Sequence, residues 1–166
     1  MSARPRTLSR VAAVQALYQA EQGPASPETV IDQFVRHRIG GDAPGHGDMN
    51  EGRLKAADVP LFARIVRTAA QQQDTIDAML VAALPESWPL ARLDPVLRAL
   101  MRAGGAELWM SDGPPAKVVI NEYLDVAHGF FSGDEPRMAN GILDRLAHLL
   151  RPAEFHTNAS NDGSLV

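Results

Sequence analysis

Three arginines near the start of the chain are the first residues whose type and spacing suggest a binding function. Arg4, Arg6 and Arg10 fall within the first twenty residues, which contain no acidic side chain. At 100° per residue, Arg6 and Arg10 share one helical stripe with Ala13 and Leu17. Guanidinium groups are costly to bury, so we expect them to project past the edge of the fold and bind phosphates or stack on bases. A solubilising terminus explains three arginines equally well.

A second polar pattern lies near the C-terminus. Asn140, Asp144 and His148 recur every four residues, opposite an apolar stripe. Asn and Asp compete with the helical backbone for hydrogen bonds, so a stripe that holds both predicts a specific polar contact. Its partner would be Asn121 or Asp125 of the preceding helix, or the N-terminal arginines. A solvated helix face explains the same spacing.

Catalysis has little support in the sequence. There is no cysteine, no glycine-rich phosphate-binding motif and no serine-nucleophile motif. His37 and His46 have no second ligand three or four residues further on, so we expect no metal and no cofactor. We therefore predict a protein that is not an enzyme. A small enzyme remains an alternative if one deep pocket gathers two of four acid–base groups, namely Asp125, His128, Asp144 and His148.

The composition is that of a globular protein with one domain. The 166 residues are 45% hydrophobic and 22% charged, and no apolar stretch is long enough for a signal peptide or a membrane span. We expect a cytoplasmic protein with no membrane partner. The net charge of −4 argues against tight RNA binding by the chain alone. A basic tip on an acidic body would need a partner to hold RNA.

Apolar periodicity and helix caps predict an all-α fold, a compact bundle of about six or seven helices. Ser26, Asp58 and Asp94 each precede a helical pattern as N-caps. A long pattern is either one helix or two joined near Gln71 to Gln73, and the Gly104–Gly105 pair suggests close packing. We expect one domain over 1–152, a flexible glycine-rich loop at 40–56 and a disordered tail at 153–166.

Three segments together resemble the NusB family. They are the first-helix segment from Arg4 to Gln19 with its AVQALYQ, KVVINEYLDVAHGF at 117–130, and ANGILDRLAHLLRP at 139–152. The resemblance runs from about 4 to 152 and implies the NusB-like helical fold. It also implies a transcription antitermination factor that binds the boxA element of nascent ribosomal RNA with ribosomal protein NusE. The pair would act in the RNA polymerase antitermination complex.

The resemblance also implies roles for individual residues. The RNA-binding residues would be Arg4, Arg6, Arg10, Tyr18, Gln72 and Gln73. The residues facing the partner would be Arg98, Met101 and Arg102. The signature polar face would comprise Asn121, Asn140 and Asp144. Two positions depart from the family pattern, since Met138 replaces a usual aromatic and Leu97 stands where an acid is common.

Two alternatives remain within the class of binding proteins. One is a helper for ribosomal RNA maturation that has no role at the polymerase. The other is a helical homodimer whose basic tip is buried in the interface.

Overall fold

The computed structural model describes residues 4–39 and 56–155, which contain seven α-helices, one 3-10 turn and a short helical stretch at 152–155. In chain order these are α1 (Pro5–Gln22), α2 (Pro27–His37), α3 (Val59–Gln71), α4 (Gln73–Ala83), the 3-10 turn (Leu90–Arg92), α5 (Pro95–Trp109), α6 (Ala116–Phe130) and α7 (Glu135–Leu150). The predicted all-α bundle is confirmed. The loop predicted at 40–56 lies outside the described residues except for its last residue. None of the described helices is long and apolar enough to cross a membrane.

Side-chain caps begin three of the helices where the sequence predicts them. Ser26, Asp58 and Asp94 accept a hydrogen bond from a backbone N–H of the first turn at 3.2, 3.1 and 2.8 Å. Each cap satisfies an amide that the helix itself leaves unpaired. The long apolar pattern breaks at Gln72, which ends α3 and precedes α4.

Helix α5 is the centre of the bundle and packs against α1, α3, α4, α6 and α7. Its two glycines make this close packing possible. A Cβ at Gly104 would lie 2.8 Å from Leu143 Cδ2, and one at Gly105 would lie 2.9 Å from Ile76 Cγ2. Any larger side chain would overlap these neighbours, so the close packing expected from the sequence is confirmed.

Helices α1 and α5 run antiparallel and are joined by ion pairs at both ends. Near the start of α1, Arg10 Nε lies 2.7 Å from Glu107 Oε2. Near the end of α1, Glu21 pairs with Arg98 and, at 3.3 Å, with Arg102. The N-terminal end of α1 therefore lies beside the C-terminal end of α5.

The described chain continues past the end of α7 and folds back onto the bundle. Glu154 Oε1 accepts a hydrogen bond from the Ala116 amide at 2.8 Å, and Phe155 stacks on His148 with ring centres 3.8 Å apart. The predicted disordered tail at 153–166 therefore starts too early. Residues 153–155 are helical and in contact with α6 and α7, and residues 156–166 lie outside the described part.

Candidate nucleic-acid and partner interface

The N-terminal arginines divide into two exposed side chains and one buried side chain. Arg4 is the N-cap residue of α1, and both Arg4 and Arg6 are exposed. Arg10 is only 2% exposed and forms a bidentate pair with Glu107 at 2.7 and 3.0 Å. Its third nitrogen lies 3.2 Å from Glu122 Oε2. The prediction that Arg10 projects past the bundle to bind RNA is wrong, because its donors face carboxylates inside the fold.

The surroundings of Arg10 explain how a guanidinium can be buried there. Burial acts to lower the pKa of Arg10, but the hydrogen bond and charge of Glu107 outweigh it, so the pKa lies above its ordinary value. Tyr123 is fully buried nearby, and its hydroxyl has no hydrogen-bond partner among the described residues. Burial, followed by the charge of Glu107, raises the pKa of Tyr123 well above its ordinary value. Arg10, Glu107 and Tyr123 thus join α1, α5 and α6 inside the bundle.

A surface that we call the α1–α6 seam runs between two parallel helices and is marked by Arg6, Thr7, Glu122, Tyr18 and Phe130. At one end, Thr7 Oγ1 donates a hydrogen bond to Glu122 Oε2 at 3.0 Å. At the other end, Tyr18 and Phe130 line one groove. Thr7 and Tyr18 are eleven residues apart, so the seam extends for roughly 17 Å along α1.

The groove at the Tyr18 end of the seam has a volume of about 510 Å³. Tyr18 is 39% exposed, and Phe130 and the exposed Arg38 line the same space. The remaining walls are Val14, Gln15, Gln19, Gln22, Gly23 and Val96. An exposed and a half-buried aromatic ring beside a cation and several amides are groups that bind single-stranded bases by stacking and edge contacts.

Phe130 is a candidate site residue that the sequence reasoning missed. It ends α6 as a half-buried aromatic that packs against the core beside Phe131, so its sequence context is that of an ordinary core residue. Its position opposite Tyr18 could not be read from the sequence, because it depends on how α1 and α6 pack.

Gln72 and Gln73 lie far from the exposed arginines. The Asp58 amide donates to the Pro5 carbonyl at 3.3 Å, so α3 starts beside the start of α1. Thirteen helical residues then separate Asp58 from Gln72, which is roughly 20 Å. Gln73 is exposed and Gln72 is partly buried. An RNA contact at these two glutamines stays a prediction.

The three residues predicted to face a partner point mostly into the fold. Met101 is 0% exposed, and the buried Arg98 donates to Glu21 and to backbone carbonyls of the segment before α5. Arg102 forms a bidentate pair with Asp77 at 2.9 Å for both bonds. The prediction is therefore wrong for Arg98 and Met101. The resemblance to the family gave these three residues, and a partner contact at Arg102 stays a prediction.

An exposed groove of about 660 Å³ lies at the N-terminal end of α5, between the 85–94 connection and α7. Trp88, which is 49% exposed, forms part of it, together with Leu97 and Met138. The exposed Arg92 and Arg137 also line it. An apolar groove with an exposed aromatic and charged edges is typical of a protein interface. Leu97 and Met138 are the two positions that depart from the family pattern.

The signature polar residues Asn121, Asn140 and Asp144 are all exposed. His148 Nδ1 lies 2.8 Å from the Asp144 carbonyl, which is a contact within α7. Within 4–39 and 56–155, no hydrogen bond links Asn140 or Asp144 to α6 or to the N-terminal arginines. The expected contact between helices is therefore not found, and the stripe is a solvated face of α7.

The acid–base groups of the alternative enzyme are not gathered in either groove. The linings of both grooves lack all four, namely Asp125, His128, Asp144 and His148. Among the residues that the structure describes, no three His, Asp or Glu side chains are placed to hold a metal ion.

Known proteins resemble this chain over most of its length. The model of the NusB family matches residues 7–148. The transcription antitermination protein NusB of Granulibacter bethesdensis is 66% identical over 152 residues, which cover 92% of this chain and 93% of that protein. The NusB of Gluconobacter oxydans is 56% identical over 144 residues, covering 87% of each chain.

Solved structures share the fold at lower sequence identity. T. maritima NusB is 24% identical with a TM-score of 0.68, covering 94% of this chain and 99% of that chain. A chain in the crystal structure of a plectonemic RNA supercoil is 23% identical with a TM-score of 0.67, covering 87% of this chain and 94% of that chain. These likenesses establish the helical fold.

Proposed function

Because the chain belongs to the NusB family, we propose that it is a transcription antitermination factor that binds single-stranded boxA RNA together with ribosomal protein NusE. The pair would act on nascent ribosomal RNA in the RNA polymerase antitermination complex, in the cytoplasm. The observation that carries the RNA half of this proposal is the groove that contains Tyr18, Phe130 and Arg38.

RNA binding follows from the chemistry of the α1–α6 seam. Tyr18 and Phe130 offer ring faces to unstacked bases, and Arg38, Arg6 and Arg4 offer exposed guanidinium groups to phosphates. The buried Arg10 leaves this surface with fewer cations than the sequence suggests. RNA affinity of the chain alone is therefore modest, and NusE supplies the additional contacts.

The partner half of the proposal rests on the Trp88 groove. It lies at the N-terminal end of α5, close to the Tyr18 groove, because Val96 lines one groove and Leu97 lines the other. A partner bound there would meet the same RNA. A basic ribosomal protein is also drawn to a body with a net charge of −4.

The RNA half is tested by comparing Tyr18→Ala and Phe130→Ala with a matched aromatic control. Trp109 is 41% exposed, close to the 39% of Tyr18, and lies about 20 Å along α5 from both grooves. We expect each groove variant to weaken boxA RNA binding about 5- to 150-fold, the range for loss of one stacked base. Trp109→Ala should bind like the unmodified chain. Equal effects of all three would contradict the assigned surface.

The partner half is tested with two tryptophan variants. Trp88→Ala should weaken NusE binding at least about 30-fold, since a central aromatic in an interface contributes about 2 kcal/mol or more. Trp109→Ala removes the same side chain elsewhere and should leave NusE binding unchanged. Unaltered NusE binding by Trp88→Ala would place the partner on another face.

A transcription read-through assay tests the role at the polymerase. Adding the chain and NusE should increase read-through of a terminator that follows a boxA leader. Binding without read-through would favour the helper for ribosomal RNA maturation. The homodimer is tested by mass in solution, because a dimer that buries the α1–α6 seam would dissociate when RNA binds.

A further inference from the structure

Glu122 is held in a fixed position at the N-terminal end of the α1–α6 seam. Its Oε2 accepts a hydrogen bond from Thr7 Oγ1 at 3.0 Å and lies 3.2 Å from Arg10 Nη1. Arg10 is itself fixed by the bidentate pair with Glu107. Two donors on α1 therefore hold one side of this carboxylate, and the donors are parts of a packed helix.

The other side of the same carboxylate is open. The Glu122 side chain is 21% exposed, and its Oε1 is neither buried nor hydrogen-bonded to any residue in the described ranges. Two carboxylates, Glu107 and Glu122, face the single guanidinium of Arg10, so the charge of Glu122 is only partly compensated. The open oxygen is a strong acceptor that no donor within the described ranges occupies.

An exposed cation lies beside the Thr7–Glu122 pair in the sequence. Arg6 directly precedes Thr7 and is exposed, whereas the exposed Lys117, five residues before Glu122 on α6, lies about 140° away around that helix. Arg6 attracts the phosphates of a bound strand, whereas Glu122 repels phosphate. A strand with a phosphate paired to Arg6 would present a base, not a phosphate, to the carboxylate.

The identity of that base follows from donor and acceptor patterns. Guanine presents two adjacent donors, N1–H and the N2 amine, on its Watson–Crick edge. Adenine and cytosine place an acceptor beside their amine, and uracil places its one donor between two carbonyls. Single-stranded RNA is read on these edges, and the one open oxygen of Glu122, Oε1, has two lone pairs and can accept both adjacent donors of guanine. We propose that Glu122 reads a guanine of the bound RNA, an inference that rests on the proposed RNA binding.

The proposal predicts a reversal of base preference in Glu122→Gln. The amide oxygen of the glutamine must face Thr7 and Arg10, because both are donors, so its NH2 group turns outward. An outward donor pairs with N1 of adenine and opposes N1–H of guanine. Glu122→Ala has neither group and should lose the preference without reversing it. A role in stability alone would weaken all RNAs equally in both variants.

The experiment measures binding of fluorescent oligouridines of about 12 nucleotides to the complex of the chain with NusE. One guanosine, inosine or adenosine is placed at each position in turn. We expect one position at which guanosine binds about tenfold or more tightly than adenosine, with inosine between them because it lacks the N2 amine. Glu122→Gln should favour adenosine at that position. Asp125→Asn is the matched control, since it removes an exposed carboxylate from the same helix and should keep the guanosine preference.

Thermal unfolding of each variant confirms that the fold is intact before binding is compared. Two results would overturn the base-reading role and leave the proposed function standing. One is RNA binding without a guanosine preference. The other is a guanosine preference that survives both Glu122→Gln and Glu122→Ala. Failure of the unmodified complex to bind boxA RNA overturns the proposed function, and the base-reading role with it.

Discussion

The buried position of Arg10 predicts that its replacement destabilises the fold. Arg10→Met keeps most of the apolar stem but leaves the carboxylate of Glu107, which is 2% exposed, without a charge partner. Removing one member of a buried ion pair costs about 3–5 kcal/mol. For a chain of this size, each kcal/mol shifts the midpoint of thermal unfolding by about 2–4 °C, so we expect a drop of roughly 6–20 °C.

Two companion variants identify the cause of that loss. Arg6→Met removes an exposed guanidinium one turn earlier on α1, so the free energy of unfolding should change by less than about 0.5 kcal/mol while RNA binding weakens. The double variant Arg10→Met/Glu107→Leu removes both charges. It should regain most of the stability, since apolar residues of similar volume replace buried ion pairs at little cost.

Urea unfolding followed by circular dichroism gives the free energies, and anisotropy gives RNA affinity for the same samples. The structural role of Arg10 is refuted if Arg10→Met unfolds at the midpoint of the unmodified chain while its RNA affinity falls as much as that of Arg6→Met. That pair of results would mean that the Arg10 guanidinium lies on the surface and contacts RNA.

Three further predictions concern stability. Gly104→Ala should lower the free energy of unfolding by about 1–3 kcal/mol in urea titrations, because its Cβ would overlap Leu143, despite the better helix propensity of alanine. Tyr123→Phe should be as stable as the unmodified chain or up to about 1 kcal/mol more stable near pH 7, because it removes a buried hydroxyl without a partner. Folding raises the pKa of Tyr123, so the contribution of its neutral hydroxyl to stability is fully present below about pH 10 and is lost above it. Thermal scans near pH 11 should therefore show a smaller loss of stability in Tyr123→Phe than in the unmodified chain. Asp94→Ala should lose about 1 kcal/mol in thermal unfolding and Asp94→Asn much less, since the Asp94 side chain caps two amides of α5.

Local features of the fold were predictable because their causes lie within a few residues of sequence. Ser26, Asp58 and Asp94 cap helices through amides two or three residues ahead, and the break at Gln72 interrupts an apolar pattern. The Gly104–Gly105 pair indicated close packing because few other reasons exist for two glycines inside a helix. Each of these signals is read from one segment alone.

Buried charges were not predictable, because their partners are distant in sequence. Arg10 lies on the stripe of the buried Ala13, and only Glu107 makes that position tolerable for a guanidinium. Arg98 is likewise buried, and Glu21 and backbone carbonyls accept the hydrogen bonds of its guanidinium. Helical periodicity identifies the face of a residue but not the groups that meet it there. The exposed groove of Trp88 and the Tyr18–Phe130 pair depend on the same long-range packing.

The ion pairs that join α1 to α5 also set an order of events during synthesis. Arg10 and Glu107 are 97 residues apart. At about 5–20 residues per second, the ribosome needs roughly 5–20 s after making Arg10 before its partner exists. Throughout that interval the first helix carries an uncompensated guanidinium on its apolar face. The first helix to be synthesised therefore forms its ion pairs with α5 late. Until then, the nascent chain exposes α1 to chaperones or to anionic partners.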